Sequence, residues 1–180
     1  MASRQLIHPR WKFRALYVGV AVALTVLRLL PIRTLPATIP GPDLLTCVTL
    51  AWVLRRPEYV PVVLISAVFL FEDFLLQRPP GLWALVVLMG TEFLRSREAM
   101  TREVGLMMEW AIVSVVMVAM TLAYRVAYAV AFIDEPPMAL VALQLLGSIL
   151  CYPMVVGLSR LAFGLRKAAP GEVDALGRRL

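Results

Sequence analysis

The amino-acid sequence predicts an all-α integral membrane protein, folded as a bundle of six transmembrane helices. Hydrophobic residues make up 61% of the 180-residue chain, against about 45–50% in a soluble domain. A water-soluble fold of this size has too little interior to bury that much apolar surface. The charged residues, 17% of the total, gather at both ends and in short breaks between long apolar runs, a distribution typical of polytopic helical proteins.

Six apolar segments are separated by breaks that carry proline, glycine or charge. Proline stands at or near four of the expected helix starts, where its missing amide hydrogen has no helical partner to lose. We expect one transmembrane domain at residues 1–166 and a polar cytoplasmic tail at 167–180. The expected helices are at about 13–30, 44–54, 59–76, 81–94, 106–133 and 138–163.

The second and fourth segments are short for a membrane crossing. As helices they span about 17 Å and 21 Å, whereas the hydrocarbon core of a bilayer is about 30 Å thick. Two arrangements therefore stay open at this stage: six full crossings, or four full crossings and a hairpin.

The basic residues predict the orientation of the bundle. If every segment crosses, one side of the membrane receives both chain ends and the breaks after segments two and four, with 14 of the 18 Lys and Arg residues. These are Arg4, Arg10, Lys12, Arg14, Arg55, Arg56, Arg95, Arg97, Arg102, Arg160, Arg166, Lys167, Arg178 and Arg179. Because cytoplasmic loops are enriched in Lys and Arg, both termini are expected in the cytoplasm. The net charge of +6 then needs no nucleic-acid partner.

Charged residues also lie inside the apolar segments, where a side chain that faces lipid alone costs roughly 3 kcal/mol at mid-helix. The helix rise places Arg28, Glu72, Asp73 and Arg125 in the outer half of the membrane, and Asp43 opens the second segment at the same level. We expect ion pairs that link Glu72 or Asp73 to Arg28 or Arg125. The favoured interpretation is a structural charge cluster inside the bundle, and the alternative is a proton or substrate site.

Two further acidic residues, Glu92 and Glu109, lie near the inner face at about the height of Arg95 and Arg102. Long charged side chains near a helix end extend toward the interface while their stems cover apolar surface. Snorkelling of this kind accounts for both glutamates, and a functional role is the less favoured alternative.

The fifth segment carries a ridge of small residues spaced four apart: Ala119, Ala123, Ala127 and Ala131. Such ridges let helix backbones approach closely, and Arg125 points to roughly the opposite side of the helix. Both faces then need protein neighbours, which places this helix at the centre of the bundle or at a subunit interface. Gly147 and Gly157 are candidates to receive the ridge, and Pro153 is expected to kink the sixth segment.

No catalytic constellation is present in the sequence. It has no H-E-x-x-H motif and no glycine-rich phosphate loop, and its only histidine, His8, lies in the N-terminal tail. Cys47 and Cys151 have no Cys or His at ligand spacing. Glu72 and Asp73 point about 100° apart on a helix, so they do not form one carboxylate pair. We therefore expect no enzyme activity, no metal and no cofactor.

The stretch 42–95 carries an ordered set of features. Pro42-Asp43 opens segment two, Arg55-Arg56-Pro57 forms a basic break, Asp73 ends segment three with an acid, and Pro80-Gly81-Leu82 leads into segment four. In order and spacing this stretch resembles the core of the MreD family of rod-shape-determining membrane proteins. Chain length, six segments, a basic N-terminus and a proline in the last segment also agree with that family.

One feature departs from the family pattern. Many members have glycines before the acid of the third helix, where this chain has Ser66-Ala67-Val68-Phe69, which puts close helix packing at that point in doubt.

The resemblance implies both a fold and a function. The fold would be similar to the substrate-binding S components of energy-coupling-factor vitamin transporters. The function would be that of a non-catalytic subunit of the bacterial cell-elongation (rod) complex in the inner membrane. Such a subunit binds the bitopic protein MreC and helps position or activate the glycosyltransferase RodA and its class B penicillin-binding partner, so it affects cell shape and peptidoglycan synthesis.

The implied fold also supplies a second hypothesis, a small-molecule-binding transport subunit. That role needs an outward-facing polar pocket, and Gln144 is the lone side-chain amide within the expected helices. This scarcity favours the cell-elongation hypothesis.

Overall fold

The computed structural model describes residues 10–30, 40–97, 104–132 and 137–163. Within these ranges all regular structure is helical, which confirms the all-α prediction. The tail at 167–180 lies outside the described residues. The helices are α1 (Arg10–Leu29), α2 (Leu44–Arg55), α3 (Val62–Leu75), α4 (Leu82–Ser96), α5 (Leu106–Val130) and α6 (Met138–Phe163), with a 3₁₀ turn at Pro57–Tyr59.

Two of these helices are long and apolar enough to cross a membrane. The qualifying stretches are Leu106–Val130 and Met138–Ala162, each of 25 residues with a mean hydropathy of 2.0. Each spans about 38 Å, more than the hydrocarbon core of about 30 Å. By length and composition, both helices are able to cross a membrane, and the six-crossing bundle stays a prediction.

The third helix begins later than expected because two prolines divide the connection from α2. Arg56 has an extended φ of −148°, since the residue before a proline is disfavoured in the helical region. The 3₁₀ turn follows, and Pro61 then caps α3 with an extended backbone. The predicted helical turn at Tyr59 is therefore wrong, and that residue lies in the 3₁₀ turn.

The centre of the bundle is α2, in which every residue after Leu44 is buried. It contacts α1, α4 and α6. A helix that is apolar on all sides belongs in an interior, and its neighbours cover it. Because these neighbours would shield α2 from lipid, the helix can be shorter than the hydrocarbon core is thick.

The outer surfaces of the other helices are apolar. Every α-helix except α2 exposes large hydrophobic side chains, such as Phe71 of α3, Met89 of α4 and Leu161 of α6. A soluble monomer rarely exposes contiguous apolar patches of more than a few hundred Å². Such a surface is typical of a protein solvated by lipid.

The alanine ridge of α5 does not pack against α6, so the prediction for Gly147 and Gly157 is wrong. The ridge alanines are exposed except for the half-buried Ala127. A Cβ added at Gly147 would meet Pro42, and one added at Gly157 would meet nothing within 4 Å. The other side of α5 faces the core with larger side chains, which bury more apolar area. One of these, Met120, lies so close to Gly90 of α4 that a Cβ there would be 2.5 Å from its sulfur.

Candidate functional site

Buried charged residues form two clusters at opposite ends of α2. Asp43 caps the N-terminus of this helix and Arg55 is its last residue, so about 18 Å of helix separates the clusters. We call them the Arg28 cluster (Arg28, Asp43 and Glu72) and the Arg55 cluster (Arg55, Glu109 and Tyr152).

In the Arg28 cluster, one arginine from α1 serves two carboxylates. Arg28 Nη1 lies 3.0 Å from Glu72 Oε1 and 3.8 Å from Asp43 Oδ1. Among the pairings that the sequence suggested, the structure thus contains Arg28 with Glu72. The Glu72 side chain is buried, while the Arg28 side chain keeps 26% of its surface exposed.

Asp43 also fixes the start of α2. Its Oδ1 accepts a hydrogen bond from Thr46 N at 3.1 Å, and its Oδ2 accepts one from Thr46 Oγ1 at 2.9 Å. Its own backbone N–H donates to Ser148 Oγ at 2.7 Å. The residue is therefore a helix N-cap that also ties α2 to α6.

Asp73 makes a different set of contacts from those expected. Its Oδ2 accepts hydrogen bonds from Gly81 N at 3.0 Å and from Ala84 N at 3.3 Å, so it caps the start of α4. Gly81 has a φ of 85°, a left-handed conformation that glycine adopts without steric cost. Among the residues that the structure describes, no ion pair within 4.0 Å joins Arg125 to Asp73 or Glu72. Of the alternatives that the sequence left open, the structure contains Arg28 with Glu72, while backbone amides bind the Asp73 carboxylate.

The Arg55 cluster lies entirely inside the bundle. Arg55 Nη2 is 2.9 Å from Glu109 Oε1, and both side chains are fully buried. Tyr152 OH donates to the same oxygen at 2.7 Å, and Arg55 Nη1 donates to Ala51 O at 2.9 Å. These contacts join α2, α5 and α6 at one point.

The predictions for two members of this cluster are wrong. Arg55 was placed in a loop and Glu109 was expected to snorkel to the interface. α2 is buried on all sides, so the side chain of Arg55 stays within the bundle and is matched by a carboxylate. A sequence signal for Glu109 existed, since it shares a helical stripe with the buried residues Val113, Val116 and Met120.

Glu92, the second acid expected near the inner face, behaves as a surface residue. Glu92 is 51% exposed, with Oε1 3.4 Å from Arg95 Nε in the next turn of α4. Arg95 also donates to Val60 O, which ties the end of α4 to the connection between the 3₁₀ turn and α3. Arg102 lies outside the described residues.

A cavity of about 230 Å³ lies between α2, α5, α6 and the turn from α3 to α4. We call it the Arg125 cavity, after the arginine that α5 contributes to its wall. Its charged lining consists of Asp43, Arg78 and Arg125, and its aromatic lining of Trp83, Tyr124 and Tyr128. Gln144 and Ser148 line it from α6. The cavity therefore touches the Arg28 cluster through Asp43.

The aromatic side of the cavity is ordered by its own contacts. The Trp83 ring meets the Tyr124 ring edge-on, with centroids 5.0 Å apart. The hydroxyls of Tyr124 and Tyr128 are 3.0 Å apart. Edge-to-face aromatic contacts of this kind stabilise the packing beyond simple area burial, so the side chains of this wall hold one another in place.

Within the described ranges, no group of three or more His, Cys, Asp or Glu side chains is arranged to hold a metal ion. Cys47 and Cys151 are free thiols. The polar chemistry of the described part of the bundle therefore lies in the two clusters and the cavity.

No protein-family model, no curated protein and no solved structure matches this chain. The interpretation of the site thus rests on the chain's own residues, and the resemblance to the MreD family stays a prediction.

Proposed function

We propose that this protein is a non-catalytic membrane subunit of a bacterial cell-elongation complex. In this proposal it crosses the inner membrane six times with both termini in the cytoplasm. It binds an MreC-like bitopic protein and helps control a RodA-like glycosyltransferase and its class B penicillin-binding partner.

The observation that carries the proposal is where the MreD-like features fall in the fold. Asp43 caps α2 and contacts Arg28, Arg55 holds Glu109 inside the bundle, and Asp73 binds the backbone of Gly81. Features that are separate in sequence thus occupy the joints between helices. In this proposal, a fold shared with the MreD family accounts for the resemblance of this stretch in order and spacing.

A structural role for the buried charges supports a non-catalytic subunit. Each carboxylate in the two clusters accepts a hydrogen bond or an ion pair from a donor of this chain. Carboxylates that are paired within their own fold hold helices together.

The alanine ridge on α5 supports a partner helix as the binding target. α5 is long enough to cross a membrane, and its ridge faces outward from the bundle. Small-residue ridges let a second transmembrane helix approach closely, which strengthens van der Waals packing in lipid. A bitopic partner has one such helix to offer.

The test is gentle detergent purification of the protein from its native membranes, followed by mass-spectrometric identification of co-purifying proteins. The proposal expects an MreC-like bitopic protein, with or without a RodA-like enzyme. Recovery of an ATPase pair with a coupling transmembrane subunit would overturn it and identify a transporter component.

The Arg125 cavity favours a second candidate function, the substrate-binding subunit of a small-molecule transporter. Such a subunit needs a polar pocket, and this cavity brings Gln144 together with charged and hydroxyl side chains. A true ligand stabilises the folded state, by about 2.7 kcal/mol at 100 times its Kd. Thermal unfolding with and without vitamins tests this candidate, and no shift with any of them would reject it.

A further inference from the structure

We infer that the Arg125 cavity binds a small, uncharged, planar molecule that carries an amide group. The inference goes beyond both candidate functions, because it concerns binding by the chain itself and needs neither an MreC-like partner nor transport. It rests on which polar groups of the cavity wall are already paired, on the one side-chain amide that is not, and on the aromatic side chains around it.

The charged groups of the cavity wall are already engaged within the protein. The Asp43 carboxylate accepts two hydrogen bonds at the start of α2 and an ion pair from α1. Arg78 lies within electrostatic reach of Asp73 and Glu72, and Arg125 also interacts within the protein. A charged ligand would lose its water here without gaining a free counter-charge, which is costly. The wall therefore favours an uncharged ligand.

The hydroxyls of the wall are also bonded within the protein. Thr121 donates to Met117 O at 2.9 Å, and Ser148 donates to Gln144 O at 2.7 Å. The two tyrosine hydroxyls bond to each other. The side-chain amide of Gln144 differs from these groups, because it makes no hydrogen bond with any residue that the structure describes. It is the polar group of the wall that is left for a ligand.

Gln144 faces the cavity because it lies on the stripe of α6 that lines it. Val141, Leu145 and Ser148 belong to the same lining, at the spacing of three and four residues that places side chains on one face of a helix. A side-chain amide both donates and accepts hydrogen bonds, and leaving it unpaired away from water costs free energy. A second amide satisfies both functions at once, through two opposed N–H···O=C bonds.

The shape and size of the cavity suit one flat ring. The rings of Trp83, Tyr124 and Tyr128 and the thioethers of Met117 and Met120 line it, and both kinds of group pack well against a flat unsaturated ring. The cavity volume is about 230 Å³. A protein cavity of about 150 Å³ holds benzene, whereas sites for drug-sized molecules have roughly 300–1,000 Å³. The space therefore fits a ring with an amide substituent.

The test uses benzamide, a simple molecule of this class, and benzoate, which has nearly the same shape and a negative charge. The full chain is purified in neutral detergent, and binding is measured by equilibrium dialysis at millimolar probe concentrations, with protein-free micelles as the blank. The second readout is the thermal unfolding midpoint, which rises when a ligand binds the folded state. We expect benzamide to bind and to raise the midpoint, and benzoate to bind on the order of tenfold more weakly.

Two variants of α6 assign the binding to the cavity. Gln144→Met removes the amide and keeps a side chain of similar length, so it is expected to weaken benzamide binding on the order of tenfold. Leu143→Met is the matched control, because Leu143 is exposed, and it should bind benzamide like the wild type. Gln144→Met removes a polar group from a largely apolar bundle, so it is expected to fold, and its unfolding midpoint without probe checks this.

Each of three results would overturn the inference. The first is no benzamide bound above the micelle blank, which would leave the Gln144 amide to water. The second is benzoate bound as tightly as benzamide. The third is equal benzamide binding by the wild type and Gln144→Met, which would place the probe elsewhere on the protein. None of them decides the cell-elongation proposal, which is tested by the co-purifying proteins, or the transporter candidate, which is tested with vitamins.

Discussion

The two charge clusters are built from the same residue types but have different surroundings. Both side chains of the Arg55–Glu109 pair are fully buried. The Arg28 cluster has a partly exposed arginine and shares Asp43 with an open cavity. An ion pair without access to solvent or ligand can only hold helices together, whereas one beside a cavity can also respond to what enters it. The comparison therefore predicts that the Arg55 cluster contributes more to stability than the Arg28 cluster.

The largest expected loss of stability is at the Arg55 cluster. Glu109→Ala leaves Arg55 buried without its carboxylate, so we expect the free energy of unfolding in detergent to fall by about 3–5 kcal/mol. The control is Glu92→Ala, an exposed glutamate that should change stability by about 0–1 kcal/mol. The double variant Arg55→Met with Glu109→Met should recover most of the loss, because an apolar pair of similar volume replaces a buried ion pair well. Equal effects of Glu109→Ala and Glu92→Ala would show that the Arg55 cluster is open.

A smaller loss is expected at the Arg28 cluster. Arg28→Ala leaves Glu72 without its ion-pair partner, but Arg28 is partly exposed, so its removal gives water a path to the carboxylate left behind. We expect a decrease of about 1–3 kcal/mol in the free energy of unfolding. Arg14→Ala is the control, since Arg14 is exposed and donates to a backbone carbonyl, that of Glu58. A loss as large as that of Glu109→Ala would erase the distinction between the clusters.

Next in size is the cap on α4. Asp73→Ala removes the acceptor for the Gly81 and Ala84 amides, which should lower stability by about 0.5–2 kcal/mol. Hydrogen exchange should accelerate at the first amides of α4 while those of α2 stay protected. Asp73→Asn keeps an acceptor oxygen and should lose less. If Asp73→Asn loses as much as Asp73→Ala, the negative charge matters more than the cap.

The smallest effect on stability is expected at the alanine ridge. Ala123→Leu changes an exposed residue of α5, so the free energy of unfolding should change by no more than about 0.5 kcal/mol. Recovery of the proposed MreC-like partner should fall, because leucine prevents close helix approach. Ala142→Leu, an exposed alanine on α6, is the matched control. A partner that is recovered equally with both variants would bind elsewhere.

The sequence predicted the helices well because apolar runs and prolines act locally. It was less successful where a neighbouring helix decides the outcome. Arg55 follows a leucine and precedes Arg56 and Pro57, which suggests a loop, and only the complete burial of α2 shows that its side chain has no route to water. Asp73 was paired with arginines because charge attraction is easy to anticipate, whereas the fold supplies backbone amides.

The Arg28–Glu72 contact could be anticipated because both residues lie at similar heights in their helices. The Arg125 cavity could not, because its walls come from α2, α5, α6 and a turn. Sequence spacing gives heights along each helix but not which helices are neighbours. For the same reason, the sequence left open whether the alanine ridge of α5 faces the bundle or a partner, and only the burial of the neighbouring side chains shows that it faces outward.

Thiol labelling on α5 measures most directly the difference in solvent access between the Arg55 cluster and the Arg125 cavity, which adjoins the Arg28 cluster. Thr121 lines the cavity and Val113, about 12 Å along the helix, is fully buried one turn from Glu109. Thr121→Cys and Val113→Cys are made in a background with Cys47→Ala and Cys151→Ala, and a membrane-impermeant thiol reagent is added from the outer side of the membrane. The account predicts labelling of Thr121→Cys and protection of Val113→Cys; equal labelling of the two, or protection of Thr121→Cys, would contradict it.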